Sequence, residues 1–383
     1  CKYDHRGSGQ GIAAHAKIIG KGKTMDMEWE SKEINRMCTQ ILAHIVDDQK
    51  EDNNILFDME IWDWSQGVAL YGIWKYYRLT GKGQYLDYLT RWFDTKLNRL
   101  ITHNINTMAP LLTLCFLYEE TKRKEYLEYC EYCADWLLDG LPRTEMGGFQ
   151  HITMDSDNHQ QLWSDTVFMA VLFLAKIASV TGSQRYAEEC KKQFLLHIYY
   201  LADKKTGLWS HGWSFRQRDN FAGAYWARGN CWFAIAAAEL PELLELEEWV
   251  SDLILGAYRL QSNTLCRYQS PEGLWHTLID HEDAYLEVSG SSGLAYGLLK
   301  GVRAGLLSPA CQEAALKAAK AVCSHIGPDG LVGQVSYGTI VADTLDYYKN
   351  VPLRPTGYGQ NLALIMLVEL LVWESQELWK GER

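Results

Sequence analysis

No apolar run in this 383-residue sequence is long enough to cross a bilayer, and its start does not read as a secretory leader. Residue 1 is cysteine, so a lipid-anchored start stays open beside the expectation of a cytoplasmic protein. Positive charge is also scarce. A net charge of −11 argues against a surface for nucleic acid or for an anionic membrane. It leaves room for a small anionic ligand gripped by one or two local cations. The ten cysteines lack any regular spacing, which in so large a chain reads as reduced and intracellular rather than as a disulfide framework. One CxxC, Cys130 and Cys133, lies inside a helical run, with no second pair to complete a zinc site. HExxH, the phosphate-binding GxxxxGK[ST] and the GxSxG elbow are all missing. The GSGQG at 7–11 follows no strand, so a nucleotide loop is discounted. No metal and no cofactor is expected.

Aromatics are plentiful: 15 Trp and 22 Tyr in a chain that is 47% hydrophobic. Core packing accounts for most of them, and flat rings also suit the lining of a carbohydrate cleft. Residues 1–26 are glycine-rich and aperiodic and read as an irregular arm. Residues 27–383 read as one domain, helical almost throughout.

Two kinds of helical run alternate. Runs with one polar face fall at 27–47, 83–100, 123–139, 184–201, 246–261 and 309–326. Runs apolar around most of their circumference fall at 61–79, 106–120, 163–180, 226–240, 286–306 and 358–374. Short echoes recur at one hairpin's spacing: GGF at 147–149, GLW at 207–209 and 273–275, and GLV at 330–332. The simplest closed arrangement is an all-α (α/α)6 barrel with six inner and six outer helices and short extended pieces at its rim. An open solenoid needs polar capping repeats, and the last run, NLALIMLVELLVW, is too apolar to be one.

In such a barrel all inner helices start on one rim. That rim reads Trp62, Asp63 and Trp64; Asn104, Asn106 and Thr107; Trp163, Ser164 and Asp165; Trp226, Arg228 and Asn230; Ser289, Ser291 and Ser292; Tyr358 and Gln360. Several of these are natural N-caps, but Trp and Arg have no capping role. Helix N-termini gathered at one mouth favour an anionic ligand.

The chemistry left for the rim is carboxylate chemistry assisted by His, Arg and Trp. Asp165, between Trp163 and the apolar VFMAVLFLA, is either a helix cap or a general acid. A general acid needs a raised pKa, and burial can raise one by about 3–5 units, more than a helix terminus lowers it. Burial is therefore expected to win in a dry site. Arg228 is either a structural ion-pair partner or a fork for a substrate carboxylate. His211, in a turn between Trp209 and Trp213, either packs or binds a sugar. His151, Asp155, Asp157 and His159 share a polar loop that reads as cleft lining rather than as a metal site.

At these residues the sequence resembles glycoside hydrolase family 105, the unsaturated rhamnogalacturonyl hydrolases. The resemblance rests on GGFQHI (147–152), LWSDTVFMA (162–170), the HGW turn (211–213), WARGN (226–230) and WDWSQGVALYG (62–72). It implies the (α/α)6 barrel. It also implies removal of a 4,5-unsaturated uronic acid from lyase products by hydration of the enol ether double bond. Asp165 matches the family's catalytic Asp. His211, Trp226 and Arg228 match positions that bind the unsaturated uronate. Asn106, Trp64, Trp163, Trp213 and His151 complete the candidate substrate-binding set. One departure stands out: several relatives carry Asp at the start of the second inner helix, where HNINTMAP offers Asn106. The rival readings are an unsaturated glucuronyl hydrolase, a sugar epimerase using paired histidines on the same barrel, and a non-catalytic carbohydrate-binding protein.

Overall fold

The computed structural model describes residues 31–46, 58–99 and 101–381; the arm at 1–26 and its GSGQG lie outside these. Helices fill most of the rest. The one-faced helices are α1 (Ser31–Val46), α3 (Gly83–Asp94), α5 (Lys124–Asp135), α7 (Gln184–Leu201), α9 (Glu248–Tyr268) and α11 (Gln312–Cys323). Helix α3 shows why they lie outside: it buries Tyr85, Leu89, Trp92 and Phe93, a stripe at helical spacing, and leaves the other face to water. The apolar helices are α2 (Trp64–Thr80), α4 (Ala109–Thr121), α6 (Leu172–Thr181), α8 (Ala227–Leu243), α10 (Val288–Arg303) and α13 (Gly357–Gly381). A short α12 (Leu345–Lys349) stands in the last rim segment.

The apolar helices close on themselves. Each packs on the next, α2 on α4, α4 on α6, α6 on α8, α8 on α10 and α10 on α13, and α13 returns to α2. Each outer helix backs an inner one, and α1 covers α13. This is the (α/α)6 barrel that the alternation predicts. The approach of α8 to α10 needs glycine. A Cβ at Gly293 would lie 2.5 Å from Cys231 Sγ, and one at Gly297 would lie 2.9 Å from Ala234. That closeness brings Arg228, near the start of α8, beside Ser289, near the start of α10.

In the GGF turn the Phe149 amide donates to Gln193 Oε1 on the outer helix α7; the other three repeated turns share one arrangement. Their glycines, Gly207, Gly273 and Gly330, hold φ of 73°, 99° and 90°, which L side chains rarely adopt. Two residues on, the amides of Trp209, Trp275 and Val332 donate to Asn230 Oδ1, Ser291 Oγ and Gln360 Oε1 on the following inner helix. Asn230, Ser291 and Gln360 therefore tie loops to helix starts.

Two expected helix starts are shifted by strands. Gln161–Trp163 forms β1, antiparallel to β2 (Gly212–Ser214), and Leu286–Glu287 forms β4, paired with β3 (Trp275–His276). Trp163 and Leu286 therefore lie on short strands just ahead of their helices. After Asp165 the chain makes a π-helical turn at Val167–Val171 before α6 begins.

At the far end of the barrel, Glu239 is 2% exposed and Lys300 is 1% exposed. Glu239 accepts from Lys300 Nζ at 2.8 Å, pairs with Lys75 at 2.9 Å and also accepts from the Tyr296 hydroxyl. This network fills the bottom of the ring, opposite the rim. Among the described residues no helix is long and apolar enough to cross a membrane.

Candidate active site

Asp165 sits where β1 gives way to the π turn, in the rim. Its backbone carbonyl accepts from Phe168 and Met169, so it starts the helix with its main chain. Its carboxylate is turned elsewhere: Oδ2 accepts from Ser164 Oγ at 3.1 Å and lies 3.4 Å from His211 Nε2. With 18% of its side chain exposed, it keeps an opening to the rim. The backbone thus initiates the helix while the carboxylate faces a histidine.

Burial does not win the contest over its protonation. Burial pushes the Asp165 carboxyl up, but contact with His211, with further pull from His151 and Arg228, outweighs it. The carboxyl ends below the ordinary aspartate value, and the expected rise is corrected. The opposing groups come from three loops and helices, which sequence order alone does not bring together.

Two histidines flank this carboxylate, on either side of the Trp163 indole in the chain of contacts. His151 stacks on Trp163 with centroids 4.5 Å apart, and His211 meets the same indole edge-on at 5.5 Å. His151 Nδ1 bonds Thr166 Oγ1 at 2.8 Å, and His211 Nδ1 bonds the Tyr348 hydroxyl at 2.9 Å. Burial pushes His151 down to about 4 and lowers His211 as well. Both imidazoles are thus neutral near pH 7.

Arg228 completes the site through Trp226. His211 lies 4.2 Å from the Trp226 ring, and the Arg228 guanidinium lies 4.4 Å from the same ring and 4.6 Å from Tyr358. Arg228 is 2% exposed, yet its partners are mostly neutral. Nη1 donates to Ser289 Oγ, to Ser336 Oγ and to the Ser336 carbonyl, and Nη2 donates to Thr339 Oγ1 at 3.2 Å. The Glu287 carboxylate stands off at 4.0 Å, because its oxygens accept from the Ser289 and Gly290 amides at the start of α10 and from the Ser336 amide. A buried guanidinium aimed by hydroxyls and backed by a committed carboxylate retains the capacity to grip an anion.

The remaining candidates are dispersed. Trp64 stacks on Tyr358 at 4.9 Å and so joins the Arg228 end. Asn106 begins a 3-10 turn (Asn106–Met108) that packs against α2 and the π turn behind Asp165. Trp213 is turned away: alternation along β2 sends it to Tyr200 and Phe215, at 5.4 Å and 6.2 Å, and it does not join the Asp165 cluster. His151 is buried, whereas Asp155, Asp157 and His159 of the same loop are exposed. Asp63, on the rim, keeps Oδ1 buried without a hydrogen-bond partner among the described residues. Burial pushes its carboxyl up to about 6, against the Trp64 amide and with the help of Asp155.

Sequence reasoning missed Glu287, Ser336, Thr339 and Tyr348. Glu287 could have been found, since an acid two residues before Ser289 is a helix-start signal. The other three stand in the 331–358 segment, where no periodicity reports which side chain turns inward.

A family model described as Glycosyl Hydrolase Family 88 matches residues 33–373. The chain belongs to this family. It is also 34% identical over 343 residues to the unsaturated rhamnogalacturonyl hydrolase YesR of Bacillus subtilis, covering 86% of this chain and 98% of that one. A crystal structure of a possible GH105 member from Salmonella enterica superposes with a TM-score of 0.86 at 38% identity, over 91% of this chain and 96% of that one. The unsaturated glucuronyl hydrolase of Bacillus sp. GL1 shares the fold, with a TM-score of 0.71 at 17% identity over 89% and 96% of the two chains. Membership makes this chain a glycoside hydrolase, in agreement with the family 105 resemblance of its motifs.

Proposed function

We propose that this chain removes a 4,5-unsaturated galacturonate from the non-reducing end of small lyase products, with rhamnose as the neighbouring sugar. The reaction is hydration of the enol ether double bond. One observation carries the reading: a rim carboxylate, free of capping duty, shares an aromatic-walled site with an arginine whose hydrogen-bond partners are mostly neutral oxygens. The arginine receives the uronate carboxylate and the aspartate works on the double bond.

In the first step Asp165 delivers its proton to C4, and the C4–C5 π electrons form the new C–H bond. Positive charge develops at C5 and the ring oxygen. Water adds at C5 and gives a proton back to Asp165, which is thereby restored. The C5 hemiketal then breaks its bond to the ring oxygen, leaving a ketone at C5 and a hemiacetal at C1, and collapse of that hemiacetal to an aldehyde releases the neighbouring sugar with the proton on its hydroxyl. Proton transfer of this kind contributes roughly 10²–10⁴-fold.

Its neighbours His211, His151 and Arg228 hold Asp165 ionised near neutral pH, so substrate must supply the change that protonates it. A uronate on Arg228 neutralises the cation that helps lower Asp165 and adds a negative charge nearby. Both effects move the carboxyl up as the substrate binds. A reducing, cytoplasmic location fits the nine cysteines that are free among the described residues.

The test is an absorbance assay with an unsaturated galacturonyl–rhamnose disaccharide. Loss of the ultraviolet band of the conjugated double bond, followed by free rhamnose, is the expected result. An unchanged band with this and with unsaturated glucuronyl disaccharides overturns the proposal. Turnover of the glucuronyl compounds alone would keep the reaction and replace the substrate.

A further inference from the structure

We infer that Tyr348 is a positioning residue: its hydroxyl donates to His211 Nδ1 and so fixes the His211 proton on Nε2, facing Asp165. The inference rests on the reading of Asp165 as the acid–base group.

Three observations carry it. The Tyr348 hydroxyl accepts from the Ala342 amide at 3.2 Å and lies 2.9 Å from His211 Nδ1. With one lone pair engaged by that amide, the hydroxyl has its single proton to offer, and Nδ1 is the acceptor within reach. Tyr348 and His211 are each 1% exposed, so water does not compete for either. On the far side of the ring, Nε2 lies 3.4 Å from Asp165 Oδ2 and makes no hydrogen bond among the described residues. A lone pair on Nε2 would face an anionic oxygen across that gap, whereas an N–H faces it favourably. Both ends of the imidazole therefore select the same tautomer.

Tyr348 is itself firmly placed. It packs with Trp226, Ala224, Leu278 and Ala284 under the rim. Its neighbour Lys349 pairs with Asp283 at 2.6 Å, and the Tyr347 hydroxyl accepts from the Ile340 amide. The segment that Tyr348 holds through Ala342 is also the one that supplies Ser336 and Thr339 to Arg228.

The tautomer decides which of the two groups carries the mobile proton. With the proton on Nε2, His211 cannot accept from Asp165. A proton arriving at Asp165 stays there for delivery to the substrate, and the carboxylate left behind finds an N–H donor. With the proton on Nδ1, the bare Nε2 would compete for the Asp165 proton. Tyr348 thus keeps the acid–base role on the aspartate.

The experiment is nitrogen-15 NMR of the histidine side chains in the resting protein, with His211 assigned by difference from His211→Gln. The expected result is an unprotonated Nδ1 and a protonated Nε2. In Tyr348→Phe the tautomer is expected to become mixed. Turnover should fall by roughly 10²-fold at little change in KM, with a shifted pH profile. A proton on Nδ1 of the unsubstituted protein overturns the inference, as does a Tyr348→Phe enzyme with unchanged tautomer, kcat and pH profile. Should Tyr348→Phe fail to fold, the tautomer of the unsubstituted protein decides. A protonated Nε2 in a protein inactive on every unsaturated disaccharide would sink the proposed reaction and leave this assignment standing.

Discussion

His211 Nε2 lies 3.4 Å from Asp165 Oδ2, close enough to hold the carboxylate's charge and longer than a well-formed hydrogen bond. Asp165→Asn keeps the shape of the side chain and removes its titration. It should abolish turnover while leaving the helical circular dichroism and the melting temperature near those of the unsubstituted protein. Near-normal activity would move the acid–base role to another residue.

The pH dependence follows from the direction of the Asp165 shift. Its carboxyl is held below the ordinary value in the free protein, and the active form carries the proton. The protonated fraction falls as pH rises through that lowered value, so kcat/KM should decline from the acid side across the neutral range. Bound substrate raises the carboxyl, so the decline of kcat should set in at higher pH than that of kcat/KM. Coincident alkaline limbs would show that the substrate does not change the protonation of Asp165.

Arg228→Lys separates charge from geometry. Lysine keeps the cation but cannot reach Ser289, Ser336, Thr339 and a substrate carboxylate together. A loss of about 2–5 kcal/mol in transition-state binding, some 30-fold or more in kcat/KM, is expected. Steady-state kinetics on the unsaturated disaccharide measure it, and an unchanged value would remove Arg228 from carboxylate recognition.

Trp213 provides a contrast. Its ring packs on Tyr200 and Phe215, away from Asp165, so Trp213→Phe should lower the melting temperature modestly. Its KM for a disaccharide should stay within about twofold, because surface-side packing losses are local. A large rise in KM would place the ring in the substrate path after all.

The bottom of the barrel should behave as a stability element. Glu239→Gln leaves Lys300 and Lys75 without their buried carboxylate, at a cost of about 3–5 kcal/mol in urea unfolding. Burial raises the Glu239 carboxyl, but Lys300 and Lys75 overcome this and hold it well below the ordinary range. Its folded pKa is therefore depressed, so its contribution is complete above the unfolded value of about 4.3 and is lost as pH falls below it. The gap between the two proteins should close on acidification; a gap independent of pH would assign the loss to packing.

Helix order and the shared rim were legible in the sequence, because a period of 3.6 reports how much of a helix is buried. NLALIMLVELLVW is apolar on all sides and proves to be the helix that closes the ring between α10 and α2. Asp165, His211 and Arg228, singled out by their motifs, are brought together at one part of the rim. The direction of the Asp165 shift was not legible in the sequence, since it depends on three groups distant in sequence meeting around one carboxylate. Trp213 packs on Tyr200 and Phe215, a placement the turn motif could not report, because it does not reveal which face of a two-strand pairing a residue takes. Tyr348 was invisible for a related reason: a lone inward side chain in an irregular segment leaves no periodic trace.

In the proposed reaction Asp165 protonates a carbon–carbon double bond. Turnover in deuterium oxide, followed by NMR of the released uronate product, tests it most directly. One solvent deuterium at C4 is expected for every turnover, absent from unreacted substrate. A product without deuterium at C4, released at an undiminished rate, would mean ordinary glycosidic cleavage and remove Asp165 from proton delivery to carbon.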